Sequence, residues 1–198
     1  LVLHASHDDA LTLLREQALN LGQGTAQLHL DVRFTGSVDA IRELNEGRCV
    51  LAGFHAQERP APDSLTARTY KPLLQPGQHK IIGFATRSQG LMVARGNPLG
   101  LHHWQDIKHV KARFVNRPLG TGTRVLLDEL LAQNGLLPSD LQGYEHNEPS
   151  HHAAAHAVAT GAADVALGIE LAARKQGLDF VPLFTEHYHL VCLKSALD

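Results

Sequence analysis

Apolar positions along the chain fall into short continuous or alternating runs, which read as strands, and runs spaced three and four apart, which read as helices. The first strand is Leu1-Val2-Leu3. A polar loop, His4-Ala5-Ser6-His7-Asp8-Asp9, leads from it to a helix on which Leu11, Leu14, Ala18 and Leu21 recur. The run Leu28 to Phe34 alternates as a strand does, and Thr35-Gly36-Ser37 enters a helix through Ile41 and Leu44 that stops at Gly47. Ser37 stands where an N-cap is expected. A third strand, Cys49 to Phe54, is followed by His55 and a proline-rich loop through Pro60 and Pro62.

After Pro76-Gly77, Lys80 to Phe84 and Gly90 to Arg95 read as two further strands. The turn Gly96-Asn97-Pro98-Leu99, with Trp104, Asp106 and Ile107 behind it, reads as a crossover into a new unit. There follow a strand at Ala112 to Val115, a loop at Asn116 to Thr123, and a helix from Arg124 to Asn134 ended by Gly135. A helix from about Ser150 to Thr160 stops at Gly161, and Asp164 to Ile169 reads as a buried strand. A helix at Glu170 to Lys175 and strands at Phe180 to Leu183 and Tyr188 to Leu193 complete the chain. Strands alternating with helices predict an α/β fold, a parallel or mixed sheet covered by helices.

Composition narrows the classes of function. A chain of 198 residues, 43% hydrophobic, can bury a real core, and its size fits one domain or two small lobes. A formal net charge of -2 argues against a nucleic-acid surface, which needs a concentrated Lys/Arg face, so contact with DNA is expected only through a domain outside this chain. No apolar run approaches the roughly 20 residues that span a bilayer, and no signal peptide stands at the start, so a soluble, cytoplasmic protein is expected. Leu1 in place of Met marks a fragment or processed product, which leaves a lost targeting segment open. Cys49 and Cys192 lie in apolar runs and read as reduced core thiols rather than a disulfide.

The segment with the most chemistry is Asn116-Arg117-Pro118-Leu119-Gly120-Thr121-Gly122-Thr123-Arg124, which joins a predicted strand to a predicted helix. Free amides at a helix start bind anions, glycines allow close backbone approach, and Thr121, Thr123 and Arg124 add hydroxyls and a fixed charge. An oxyanion suits this set. The segment lacks the Lys-Ser/Thr pair of a phosphate loop and is not Gly-x-Gly-x-x-Gly, so no nucleotide is implied. An ordinary glycine-rich turn with Thr123 as helix cap is the plainer alternative.

Two earlier turns, Ala5-Ser6-His7-Asp8 and Thr35-Gly36-Ser37, also precede helices, and ligands in open α/β sheets settle at the carboxyl ends of strands. His55 ends a strand and is a candidate donor to a ligand oxygen; a solvated loop histidine is the alternative. Glu148, Ser150 and His151 precede a helix on which His152 and His156 stand four apart, a spacing that permits a metal pair. No His-Glu-x-x-His motif completes it, and no metal site is expected. His187 and His189 should share one face of the last strand, with Tyr188 on the other. There is no Gly-x-Ser-x-Gly elbow and no cysteine in a strand-to-helix turn, so no enzyme is expected.

The run Asn116 to Asp128, with Gly143-Tyr144, Glu148, His152, Ala157 to Gly168 and Leu178 to Leu183, resembles the periplasmic-binding-protein-like domain of type II. The resemblance covers nearly the whole chain and is to the version fused to helix-turn-helix regulators and to molybdopterin molybdenumtransferases. It implies two lobes, residues 1–86 plus 187–198 and residues 87–186, with hinge strands near 86–95 and 184–190, closing over a small anion. Residue by residue it implies ligand contacts from Ser6, His7, Gly36, Ser37, Thr121, Gly122, Thr123 and Arg124, and the positions of His55, Ser150, His151 and Tyr188 at strand ends, a helix start and the return strand add them as candidate ligand contacts. Molybdate or tungstate, or an anion related to the molybdenum cofactor, is the implied ligand, with no resident cofactor. The return strand Glu186-His187-Tyr188-His189 departs from the acidic residue expected near His189, and a closing helix expected after it does not follow.

The resemblance thus implies the sensing domain of a transcriptional regulator, in an arrangement compatible with a homodimer. A solute-binding protein of an oxyanion transporter and an accessory domain of a cofactor-synthesis enzyme are the alternatives.

Overall fold

A computed structural model describes residues 1–21, 29–57 and 61–197. Leu28 and Pro60, named above in a strand and a loop, lie outside the described residues. The chain alternates strands and helices, and its seven strands form one mixed sheet in the order β2-β1-β3-β7-β4-β6-β5. The ranges are β1 Val2–Ala5, α1 Asp9–Leu21, β2 Asp31–Phe34, α2 Ser37–Asn45, β3 Leu51–Gln57, α3 Leu65–Tyr70 and β4 His79–Val93. Then come α4 Trp104–Val110, β5 Phe114–Val115, α5 Gly122–Gln133, α6 His151–Ala159, β6 Val165–Ile169, α7 Glu170–Lys175 and β7 Asp179–Leu193. No helix among the described residues is long and apolar enough to cross a membrane.

Two compact units divide the chain: residues 1–85, 120–122 and 187–198 form the first, and residues 86–119 and 123–186 the second. In the first, β1 pairs in parallel with both β2 and β3, and the register Ala5↔Gly53 brings the ends of two strands side by side. Helix α1 starts where the Asp8 carboxylate accepts the Ala10 N–H at 2.9 Å, and it turns fully buried Leu11 toward Leu3, Ala5 and Tyr188. Helix α2 buries Val38, Ala40, Ile41 and Leu44 beside Ala52 and Phe54, and Gly47 ends the segment at φ 73°.

In the second unit β6 lies between antiparallel β4 and parallel β5. One core gathers Leu91, Trp104, Ile107, Phe114, Leu127 and Leu131, and a second packs the alanines of α6 and α7 on Met92 and Ala166. The small side chains of α6 let that helix approach the sheet closely. Ser150 caps it by accepting the Ala153 N–H at 3.0 Å, and Gly161 ends it at φ 76°.

Several elements differ from the reading of the sequence. Ser37 is the first residue of α2 rather than its cap; Gly36 occupies the cap position and offers no side chain. Strand β3 starts at Leu51, so buried Cys49 precedes it. Helix α3, which hydropathy passed over, is a six-residue turn-and-a-half nucleated by Ser64, whose Oγ accepts the Ala67 N–H at 3.1 Å. The largest difference is that β4 and β7 are each one strand of 15 residues where two pieces were expected. Their polar middles look like breaks in hydropathy. Arg87 and Gln89 on β4 both donate to Glu186 on β7, which pairs donors and a carboxylate that would otherwise interrupt a buried strand. Cys49 and Cys192 are both buried and free, and burial pushes the Cys49 thiol above its ordinary pKa.

Candidate functional site

In the first unit the pairing of β1 with β3 carries Ser6 and His55 together across 49 positions of sequence. Ser6 Oγ lies 2.8 Å from His55 Nδ1, and His55 Nε2 lies 3.3 Å from Asp8 Oδ2, with all three residues buried. The Asp8 carboxylate can only accept while ionised, so it selects the tautomer of His55 with the proton on Nε2, and Nδ1 then accepts the Ser6 hydroxyl proton. Ser6 is also clamped through its backbone, its N–H donating to the Gly53 carbonyl at 3.0 Å and its carbonyl accepting the Tyr188 hydroxyl at 2.9 Å. A hydroxyl, an imidazole and a carboxylate in line thus hold one serine in a fixed pose.

Ser37 is fully buried, and its hydroxyl accepts the His55 N–H at 3.4 Å. Residues 120–122 pack on this unit: the Gly120 carbonyl accepts the Val38 N–H at 3.4 Å, and a Cβ on Gly36 would lie 3.1 Å from that same oxygen. A Cβ on Gly122 would meet Ser37 Oγ at 2.9 Å. The two glycines permit this approach, which any side chain would obstruct. Half-buried His7 packs its ring against Phe34 at 4.7 Å, and Thr121 is half-buried beside these glycines.

Tyr188, a candidate ligand contact in the sequence, lies in the core of the first unit. It is completely buried, its ring meets His55 edge-on at 4.3 Å, and its hydroxyl serves the Ser6 carbonyl.

The second unit holds a buried polar cluster around the start of α6. Arg87 Nε donates to Glu186 Oε1, and Gln89 Nε2 donates to the same oxygen at 2.6 Å and to Thr123 Oγ1 at 3.4 Å. His151, the first residue of α6, brings Nε2 within 3.5 Å of both Arg87 Nη2 and Thr123 Oγ1. Ser150 is the cap of that helix.

Arg117 stands nearby, only 6% exposed. Asn116 sets its backbone: the Asn116 amide donates to the Tyr144 carbonyl at 3.0 Å, and its oxygen accepts the Arg117 N–H at 2.8 Å. The Arg117 guanidinium donates from Nη2 to the Pro149 carbonyl at 3.0 Å, while its Nε is buried with no hydrogen-bond partner. Burial, and then the like charge of Arg87, bring its pKa down to about 10. A buried guanidinium beside a second cation, without a carboxylate of its own, is the electrostatic mould of an anion.

Arg124, expected to charge the anion cradle, is engaged elsewhere. Its guanidinium lies 4.0 Å over the Tyr144 ring, 3.4 Å from Asp128 and 3.3 Å from Asn147 Oδ1. The cation that sequence reasoning missed is its neighbour in the same motif, Arg117, together with Arg87 on β4. Arg117 was legible as a basic residue inside the glycine-rich segment; Arg87 and Gln89 fell between the two strands expected there and share a face only in the continuous β4. His152 is half-buried and His156 exposed, and among the described residues no three His, Cys, Asp or Glu side chains gather as metal ligands would.

The model of the PBP superfamily domain matches residues 19–198. The uncharacterized protein YvgK of Bacillus subtilis is 35% identical over 163 residues, which is 82% of this chain and 53% of that protein; the chain spans about half its length. Among solved structures, the effector binding domain of QuiR in complex with shikimate superposes with a TM-score of 0.70 at 14% identity, covering 98% of this chain and 87% of that one. The regulatory domain of CcmR from Synechocystis PCC6803, in complex with 2-PG, gives the same TM-score, identity and coverage. At such identity these structures speak for the fold, which is the mixed α/β fold expected from the sequence. With nearly the whole length matched by the family model, the chain belongs to the PBP superfamily.

Proposed function

We propose that this chain is the ligand-sensing domain of a cytoplasmic transcriptional regulator, and that its effector is a small oxyanion of the molybdate or tungstate kind. DNA contact would belong to a further domain, since nothing in a chain of net charge -2 favours it here. The observation that carries the reading is Arg117: its buried, unpartnered Nε and its repulsion by Arg87 are relieved together by an anion. Thr123 and the capped start of α6, with Ser150 and His151, supply the neutral donors such a ligand needs. Within the first unit, His55 and Asp8 hold the Ser6 hydroxyl in a fixed pose, and Gly36, Ser37, Thr121 and Gly122 belong to that same unit.

The test is calorimetric and thermal titration with molybdate, tungstate, sulfate and phosphate on the wild-type chain and on Arg117→Met, which keeps the stem and removes the charge. A ligand at a hundred times its dissociation constant adds about 2.7 kcal/mol to wild-type stability. The variant should lose that increment while its ligand-free form melts at or above the wild-type temperature, because an uncompensated buried charge is gone. No shift with any anion, or an equal shift in the variant, sinks the proposal.

A further inference from the structure

The first unit contains a cavity that plays no part in the proposed anion site. Its volume is 440 Å³, inside the range of roughly 300–1,000 Å³ typical of small-molecule sites. Three rings form one wall: Phe54 lies 5.2 Å from Tyr70 and 5.4 Å from His189. Pro62, Ile81 and Lys71 stand around the rest of the lining.

The polar content of this cavity is small and specific. Among the described residues Lys71 is the only formally charged one in its lining, and its ammonium donates to the Pro62 carbonyl at 3.1 Å. His189 has a buried Nδ1 without a hydrogen-bond partner, and burial, then the like charge of His187, hold its pKa below the ordinary value. The imidazole is therefore a neutral, ring-shaped wall rather than a second cation. Such a lining disfavours sugars and nucleotides, whose many hydroxyls and phosphates would lose water without gaining partners. It favours a flat apolar body, because aromatic faces stack on rings, with one negative group to meet one ammonium.

We propose that the cavity bounded by Phe54, Tyr70, His189, Ile81 and Lys71 binds a planar aromatic monocarboxylate of one or two rings, at a site separate from Arg117. The rings stack along the Phe54, Tyr70 and His189 wall, and the carboxylate faces Lys71.

Isothermal titration of the whole chain with 2-naphthoate and with its uncharged analogue 2-naphthamide tests this. Naphthoate should bind saturably and more tightly than the amide. Lys71→Gln should weaken naphthoate by about two- to five-fold, the range of an exposed ion pair, and leave the amide unchanged. Ile81→Trp, at a side chain 46% exposed and so tolerant of bulk, should weaken both by at least about ten-fold by filling the cavity. Arg117→Met should leave both untouched, which separates this site from the anion site. Absence of saturable binding, or binding indifferent to both cavity variants, or binding abolished by Arg117→Met, overturns the proposal.

Discussion

Gly53→Ala is the substitution whose effect the structure fixes most tightly. Gly53 sits in the middle of β3, and a methyl group there would lie 2.2 Å from the Tyr188 hydroxyl, 3.0 Å from Tyr188 Cζ and 2.9 Å from Ala5 Cβ. Neither neighbour can yield cheaply, since Tyr188 and Ala5 are both fully buried in one core. Overpacking of this kind costs about 1–3 kcal/mol. Displacing the tyrosine also breaks its hydrogen bond to the Ser6 carbonyl, worth about 0.5–1.5 kcal/mol. The expected total is about 2–4 kcal/mol, or roughly 4–16 °C in Tm for a chain of this size.

A double-mutant cycle isolates the cause. Tyr188→Phe removes the atom at 2.2 Å and leaves the next ring contact at 3.0 Å, so Gly53→Ala should cost about 1–2 kcal/mol less in that background. Urea denaturation of the four proteins measures the coupling. Additivity within about 0.5 kcal/mol, or a cost below about 0.5 kcal/mol for Gly53→Ala alone, would refute the reasoning.

Other consequences can be checked with the same equipment. Gly122→Ala places a methyl 2.9 Å from Ser37 Oγ and 3.2 Å from His55 Cβ, and should lower stability by about 1–2 kcal/mol in urea denaturation. The Arg113 hydrogen bonds hold the Asp164 carboxyl below its ordinary pKa, so this pair stabilises the fold above about pH 4 and the contribution fades as pH falls further; Asp164→Asn should flatten the acid limb of a Tm-against-pH curve. His189 and His79 are both shifted downward by burial, so the fold favours their neutral forms. Their contribution is complete above about pH 6.5 and declines below it, and His189→Phe should reduce the fall in Tm between pH 6.5 and pH 5.

What the sequence reveals depends on how local the cause is. Helix α6 was legible because its signals are adjacent: a serine cap, a run of alanines and Gly161 at the end. Helix α7 was read with its observed limits for the same reason. Strands β4 and β7 were not, since their polar centres are satisfied by partners such as Arg87 and Glu186, 99 positions apart. The site divides along the same line. The glycine-rich motif was visible as a whole, but whether Arg117 or Arg124 is left without a carboxylate depends on Asp128 and Tyr144, which hydropathy cannot place against either. The link from Ser6 to His55 follows from strand pairing, and Asp8 joins it only once that pairing exists.

The way the chain divides its residues between the two units also dictates an order of assembly during synthesis. Almost all of the second unit comes from one continuous stretch, 86–186, so every strand and helix of its two cores has left the ribosome once residue 186 is clear of the exit tunnel. The first unit must wait. Its core includes Tyr188, Leu190 and Val191, which come after the whole of the second unit in the chain, so β3 is made early and the edge that pairs with β7 stands open until the second unit has been synthesised. The unit begun first is therefore completed after the second, and the open edge of β3 is the nascent surface on which a chaperone would act.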